Sequence, residues 1–322
     1  MEAYKVKPVI SVVMSVFNAE NYLSETIESI LAQTFRNFEF IIVNDGSTDT
    51  SLNIITSYND QRIVIINQSN LGLSKALNNG IRIANTDYIC RIDADDIALP
   101  QRLDKQYEFM QNNPNCVCVG SNAIYITEKG EELYTSRKLT DWTEIRMRLP
   151  LESPFFHSTV MFRKEICIRT GGYYEGIKHH IEDILLWNKL SEHGELRNID
   201  DVLLKYRLVP NAITNNFSKR ERKSLNQILQ NILKYGEISS QDKDLLNIIT
   251  KSKSKYWKLS NFYLKVGVAL LQYRTDAKMH AIKYLAKAVF ANPFNIKALF
   301  FLLLSLQPKL IIKKWNNLRR KN

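Results

Sequence analysis

Runs of β-branched residues alternate with segments of helical period from residue 9 to residue 92, and this alternation leaves few folds open to the chain. Residues 9–16 are a β-rich apolar run, and residues 20–33 carry Leu23, Ile27, Ile30 and Leu31 at helical spacing. Residues 38–43 form a second strand, which ends on the turn-rich string Asn44-Asp45-Gly46-Ser47-Thr48-Asp49. A helix is expected next, then a strand at 62–66, a helix at 73–84 and a strand at 87–92. The βαβαβαβ order implies an α/β fold, a mostly parallel sheet sandwiched by helices. Ligands of such sheets bind beyond the carboxyl ends of the strands, so the polar clusters at those ends are the places to search.

Beyond Pro100 the pattern changes. A helix is expected at 102–112, then shorter strands with a hairpin turn at Lys129-Gly130, a strand at 157–162 and a helix at 182–193. From residue 218 strand signals vanish. Residues 277–291, the breaker Asn292-Pro293 and a further helix predict a helical hairpin. It resembles a tetratricopeptide unit, but one copy does not make a repeat array. The chain has 322 residues, long for one core, and divides on this reading into an α/β domain at 1–216 and a C-terminal all-helical region at 217–322.

Composition narrows the function classes. Cys90, Cys116, Cys118 and Cys167 form no paired zinc motif and read as reduced core cysteines of a cytosolic protein. His157, His179, His180, His193 and His280 are scattered and read as ordinary histidines. Residues 1–17 do not have the layout of a secretory signal, and no apolar run reaches the roughly 20 residues that cross a bilayer. The formal net charge of +11 suits nucleic acid, an anionic membrane or an anionic ligand. No nucleic-acid-binding motif accompanies it, so nucleic acid is not an expected partner. The tail carries Lys309, Lys313, Lys314, Arg319, Arg320 and Lys321 directly after the apolar Phe300, Phe301 and Leu302. That layout fits a segment lying on an anionic membrane, peripheral on its cytoplasmic face, and equally a packed terminal helix with a solvated end.

Three acidic clusters are candidates for chemistry. Gly46 permits a tight turn beside a ligand, and Asp45 offers a carboxylate acceptor for a base N–H. Taken alone, that string is equally a turn with a Ser/Thr helix cap. In Arg91-Ile92-Asp93-Ala94-Asp95-Asp96, an extended chain would place Asp93 and Asp95 on one face, and their hard oxygens suit Mn²⁺ or Mg²⁺ bound to a diphosphate. The bland alternative is a solvated loop with Asp96 capping a helix that starts near Leu99. Glu182-Asp183 opens a helix, where the macrodipole favours acids and where a positioned carboxylate can deprotonate a hydroxyl.

Taken in order, the strings resemble the family-2 glycosyltransferases. Residues 11–18 resemble the family's opening strand, 40–49 its second motif and 70–80 its third. Asp93-Ala94-Asp95-Asp96 resembles its metal motif, and residues 157–163, Gly171-Gly172-Tyr173 and Glu182-Asp183 complete the series. The resemblance spans about residues 9–207. It implies a GT-A fold and inverting transfer from a nucleotide-sugar donor, a UDP-sugar by preference, to a glycan or lipid-linked glycan acceptor. By position, Asp45, Asn18, Phe17, Asn70, Lys75, Asp93, Arg91 and Arg207 would bind substrate. Asp95 and Asp93 would hold the metal, Asp183 would be the base and Glu182 its support. Phe17 and Ser15 stand where the family often has Tyr and Pro. Val209 stands where many relatives carry a histidine, which leaves Arg207 as a candidate phosphate contact or, equally, a structural arginine. A sugar nucleotidyltransferase and a non-catalytic nucleotide-sugar-binding scaffold are the competing readings. No Gly-rich nucleotide loop supports the first, and the intact acidic set weighs against the second.

Overall fold

The structure is a computed structural model that describes residues 7–149, 151–177, 181–210, 219–250, 254–307 and 312. The basic tail after Pro308, His179, His180 and the expected boundary at 216 lie outside the described residues. The chain forms two compact units. The first comprises Met1–Ala123, Ser136–Tyr206 and Leu225–Asp242, and the second Ile124–Thr135, Arg207–Ser224 and Lys243–Asn322.

The sheet of the first unit is parallel in its N-terminal half. β1 (Ile10–Val16) lies between β2 (Phe38–Asp45) and β4 (Tyr88–Asp93), and β3 (Ile63–Gln68) extends the sheet beyond β2. All residues of β1 but Ser15 are fully buried, which is why its sequence is mostly apolar on both faces rather than an alternation. The register aligns the strand ends: Val16 sits opposite Asn44, Ser15 opposite Asp93, and Asp45 opposite Gln68. The helices α1 (Leu23–Leu31), α2 (Ser51–Ser57) and α3 (Leu73–Ile83) connect these strands. Gly80 lets α3 lie close on the sheet, since a Cβ there would stand 2.6 Å from Val13 Cγ1.

Further strands make the sheet mixed: β5 (Ile97–Ala98), β6 (Cys116–Ile126), β7 (Glu132–Ser136), β8 (Met161–Arg163) and β9 (Glu195–Arg207). The order is β3-β2-β1-β4-β8-β6-β9-β5, with β7 paired to β6. β8 runs antiparallel to both β4 and β6. The hairpin turn falls at Lys129-Gly130 as expected, with Gly130 at φ 83° and its N–H bonded to the Thr127 carbonyl.

Two local expectations change. Residues 157–162 are not one strand, because His157–Thr159 is a 3₁₀ turn and only Met161–Arg163 is extended. Thr159 Oγ1 donates to the Phe156 carbonyl, a local bond that competes with sheet pairing. The next helix, α4 (Arg102–Asn112), begins three residues after Leu99, and β5 separates it from Asp96, so Asp96 is not its cap.

The remaining helices are α5 (Trp142–Arg148), α6 (Lys164–Arg169), α7 (Glu182–Ser191), α8 (Lys219–Tyr235), α9 (Ser240–Thr250), α10 (Lys255–Tyr273), α11 (Lys278–Ala291) and α12 (Ile296–Leu306). In the second unit α10, α11 and α12 pack around Phe262, Val266, Ala281, Leu285 and Ala288, all buried. Ser254 caps α10 by accepting from Trp257 N, and Asn295 caps α12 by accepting from Ala298 N.

Candidate active site

The loops after β1 and β2 are laced together by short polar side chains. Asn18 adopts φ 51°, and its Oδ1 accepts from Thr48 N at 2.8 Å. Asn18 N donates to Ser47 Oγ, Ala19 N to Ser51 Oγ and Glu20 N to Asp49 Oδ2. This lacing leaves Phe17 half exposed at the mouth of the strand ends. Asn70 and Lys75 are exposed on the neighbouring loop and the first turn of α3. Gly46 is needed for the close approach of the two loops, because a Cβ there would stand 2.6 Å from Asn70 N.

Asp45 is buried and engaged by its own chain. Oδ1 accepts from Gln68 Nε2 and Leu71 N, both at 2.8 Å, and Oδ2 accepts from Gly72 N at 2.9 Å. A carboxylate offers about four acceptor positions, so one on Oδ2 remains. The charge therefore ties the 69–72 loop to the end of β2.

The second cluster follows β4. Both terminal nitrogens of Arg91 bind the Asp93 carboxylate, Nη1 to Oδ2 at 2.6 Å. Arg91 is buried while Asp93 is partly exposed. Burial works against the Arg91 charge, but Asp93, Tyr173 and Glu182 more than offset it and raise its pKa. Asp93 N donates to Ser158 Oγ at 2.8 Å, which fixes the end of the strand. The chain then turns at Ala94-Asp95 rather than running on extended. The turn, not strand alternation, gathers Asp93, Asp95 and Asp96, whose carboxylate oxygens lie within 4.8 Å of one another. Three hard carboxylates at this spacing fit a divalent cation such as Mn²⁺ or Mg²⁺.

The third cluster opens α7. Glu182 is buried, and Asp183 is partly exposed. Glu182 Oε1 lies 3.8 Å from His157 Nδ1, and His157 Nε2 lies 2.8 Å from the Tyr173 hydroxyl. Burial, then Arg91, push the His157 pKa well below its usual range, so the ring is neutral and the contact with Glu182 is not an ion pair. Burial and then Asp183 raise Glu182 to about 8. Burial likewise raises Asp183, opposed by hydrogen bonds from Ser153 and from Ile184 N–H. Lys138 lies in the field of Asp183, packs over the Phe156 ring and donates to the Ser153 carbonyl.

Of the predicted residues, the structure gathers Arg91, Asp93, Glu182 and Asp183 into one electrostatically coupled group, with Asp95 on the adjoining turn. Asp45 stands two strands away across β1, about 10 Å by strand spacing. Arg207 belongs to the second unit, where it is buried and donates to the Glu128 carbonyl. Sequence reasoning named Asp96 in the acidic cluster without giving it a ligand place, and it assigned no site role to Ser158, His157 or Tyr173. The only signal for the last three was their place in strings that follow the metal motif.

The architecture is similar to solved structures. It aligns with TarS 1–349 of S. aureus in complex with UDP-GlcNAc at TM-score 0.57 and 17% identity, over 88% of this chain and 89% of the other. It aligns with the mannosyltransferase PcManGT of Pyrobaculum calidifontis, in complex with GDP-Man and Mn²⁺, at TM-score 0.54 and 16% identity, over 98% and 88%. The fold is that of a glycosyltransferase of the GT-A type. The profile of Glycosyl transferase family 2 matches residues 11–171. A glycosyltransferase of Haemophilus influenzae is 30% identical over 86% of this chain and 91% of its own length. The amylovoran biosynthesis glycosyltransferase AmsE of Erwinia amylovora is 35% identical over 61% and 75%. The chain belongs to glycosyltransferase family 2. Among the described residues no helix is long and apolar enough to cross a membrane.

Proposed function

We propose that the protein transfers a hexosyl or N-acetylhexosaminyl group from a nucleotide diphosphate, a UDP-sugar by preference, to an acceptor hydroxyl with inversion. The observation that carries this reading is the acidic turn of Asp93, Asp95 and Asp96, oriented by the bidentate grip of Arg91 on Asp93. Similarity to AmsE favours an acceptor in polysaccharide or glycolipid synthesis. Four buried cysteines, all free, suit a reducing cytoplasmic setting.

On this reading Phe17, Asn18 and Asn70 border the nucleotide base, and the remaining Oδ2 position of Asp45 receives its N–H. Lys75 and Arg91 supply positive charge toward the diphosphate. Asp95 and Asp93, with Asp96 beside them, would hold Mn²⁺ or Mg²⁺, which when bound offsets charge on a departing nucleotide diphosphate. Arg91 holds Asp93 in one orientation by a bidentate grip. Asp183 takes the proton from the acceptor hydroxyl as that oxygen attacks the anomeric carbon from the face opposite the leaving group. Its raised pKa matches the task, since a base poised nearer neutrality gains more from the proton. Glu182, a neutral acid below pH 8 in the free enzyme, supports the acceptor as a hydrogen-bond donor.

The test is a panel of nucleotide sugars with Mn²⁺ and chelator controls. Release of UDP with a glycosylated product supports the reading. Release of pyrophosphate would replace it with nucleotidyl transfer.

A further inference from the structure

Helix α12 is apolar on both sides but buries only one. Ala298, Phe301 and Ser305, spaced i, i+3, i+7, are buried against the second unit. The opposite side carries Ile296, Leu299, Phe300, Leu303 and Leu306 at i, i+3, i+4, i+7 and i+10, and all five are exposed. A helix that is apolar all round belongs in a core or in lipid. The turn that leads into it is barer still: Phe290 is 92% exposed, Phe294 91% and Ile296 80%. Scattered single hydrophobics on a surface need no explanation, but a contiguous patch at one hairpin tip does.

The charge around this patch says what covers it. From residue 277 to residue 322 the sequence has ten lysines and arginines and no acidic residue. Lys283, Lys287 and Lys297 are exposed on the hairpin itself. A second copy of the chain would meet this patch through the same patch in a two-fold contact, bringing like charges face to face. An anionic lipid surface pairs with the cations and receives the aromatic tips. At 11 residues α12 is about 16 Å long, half of a bilayer core, so it can lie in the interface but not span it.

We propose that the α11–α12 hairpin is a docking surface for an anionic bilayer, with Phe290, Phe294 and Ile296 as the inserting tip and Lys283, Lys287 and Lys297 as its electrostatic collar. Binding requires no turnover, so its test stands apart from that of the catalytic reading.

The full chain is floated with phosphatidylcholine vesicles and with vesicles that also contain phosphatidylglycerol. Flotation only with the anionic vesicles, weakened by salt, is expected. The Phe290→Ser/Phe294→Ser variant should lose binding by about tenfold or more. Lys283→Glu/Lys297→Glu should lose the preference for phosphatidylglycerol. Both pairs are exposed, so neither should shift the melting midpoint. The proposal is overturned if the wild type floats with neither vesicle, or if the phenylalanine variant floats as the wild type does. It is also overturned if the patch instead forms a concentration-dependent dimer that the same variant dissolves.

Discussion

Arg91 holds Asp93, two residues on along the same strand, with both arms of its guanidinium, while the strand's last amide is held by Ser158. The acid that leads the metal-type turn is thus oriented by a buried cation and a fixed backbone before any ligand arrives. Arg91→Lys keeps the charge but loses the fork. It should raise the metal concentration needed for half-maximal activity. Arg91→Met should also lower stability by no more than about 3 kcal/mol, the low end for a buried pair, because Asp93 is partly exposed. Metal titration of activity and thermal melts check the two variants.

Asp183→Asn removes the proposed base and leaves the acidic turn intact. Turnover should fall by roughly 10²- to 10⁴-fold while UDP affinity stays within about twofold. Calorimetry and single-turnover assays separate the two. Near-normal turnover with a defined acceptor would reject Asp183 as base.

Asp95→Ala should abolish the Mn²⁺-dependent part of UDP binding. Unchanged UDP affinity with and without Mn²⁺ would remove the metal role from this turn.

Glu182 gives the free enzyme a signature in pH. Its pKa is raised from 4.5 to about 8, so the folded protein holds a proton there that the unfolded chain releases. The contribution to stability is therefore full below about pH 4.5, declines as pH rises, and is gone above about 8. Glu182→Gln cannot release that proton. Between pH 5 and 8 the wild type should lose more thermal stability than this variant, as read by melts across the range. Parallel curves would contradict the shift.

Gly80→Ala would place a methyl carbon 2.6 Å from Val13 Cγ1 at the junction of α3 and β1. Overpacking of this kind costs about 1–3 kcal/mol, despite the better helix propensity of alanine. Denaturant melts should show loss, not gain.

The parallel half of the sheet was legible because β1, β2 and β4 are buried on both sides and its helices are amphipathic, so β1 and β2 read as mostly apolar runs. β9 was not legible: ELRNIDDVLLKYR mixes charges with apolar residues and follows no clean alternation. The acids themselves were legible as types in strings. Their grouping was not, because it depends on a turn at Ala94-Asp95 that an extended reading misses, and this hid the part played by Asp96. The support of Glu182 by His157 and Tyr173 joins residues far apart in the chain, and no local pattern announces it.

The bond from Asp93 N to Ser158 Oγ joins the last residue of a parallel strand to a 3₁₀ turn in the antiparallel half. One hydroxyl therefore acts as a rivet across the seam of the sheet. Where the β4–β8 ladder ends at Cys90, the Val160 carbonyl and then this hydroxyl carry the contact on to the last residue of β4.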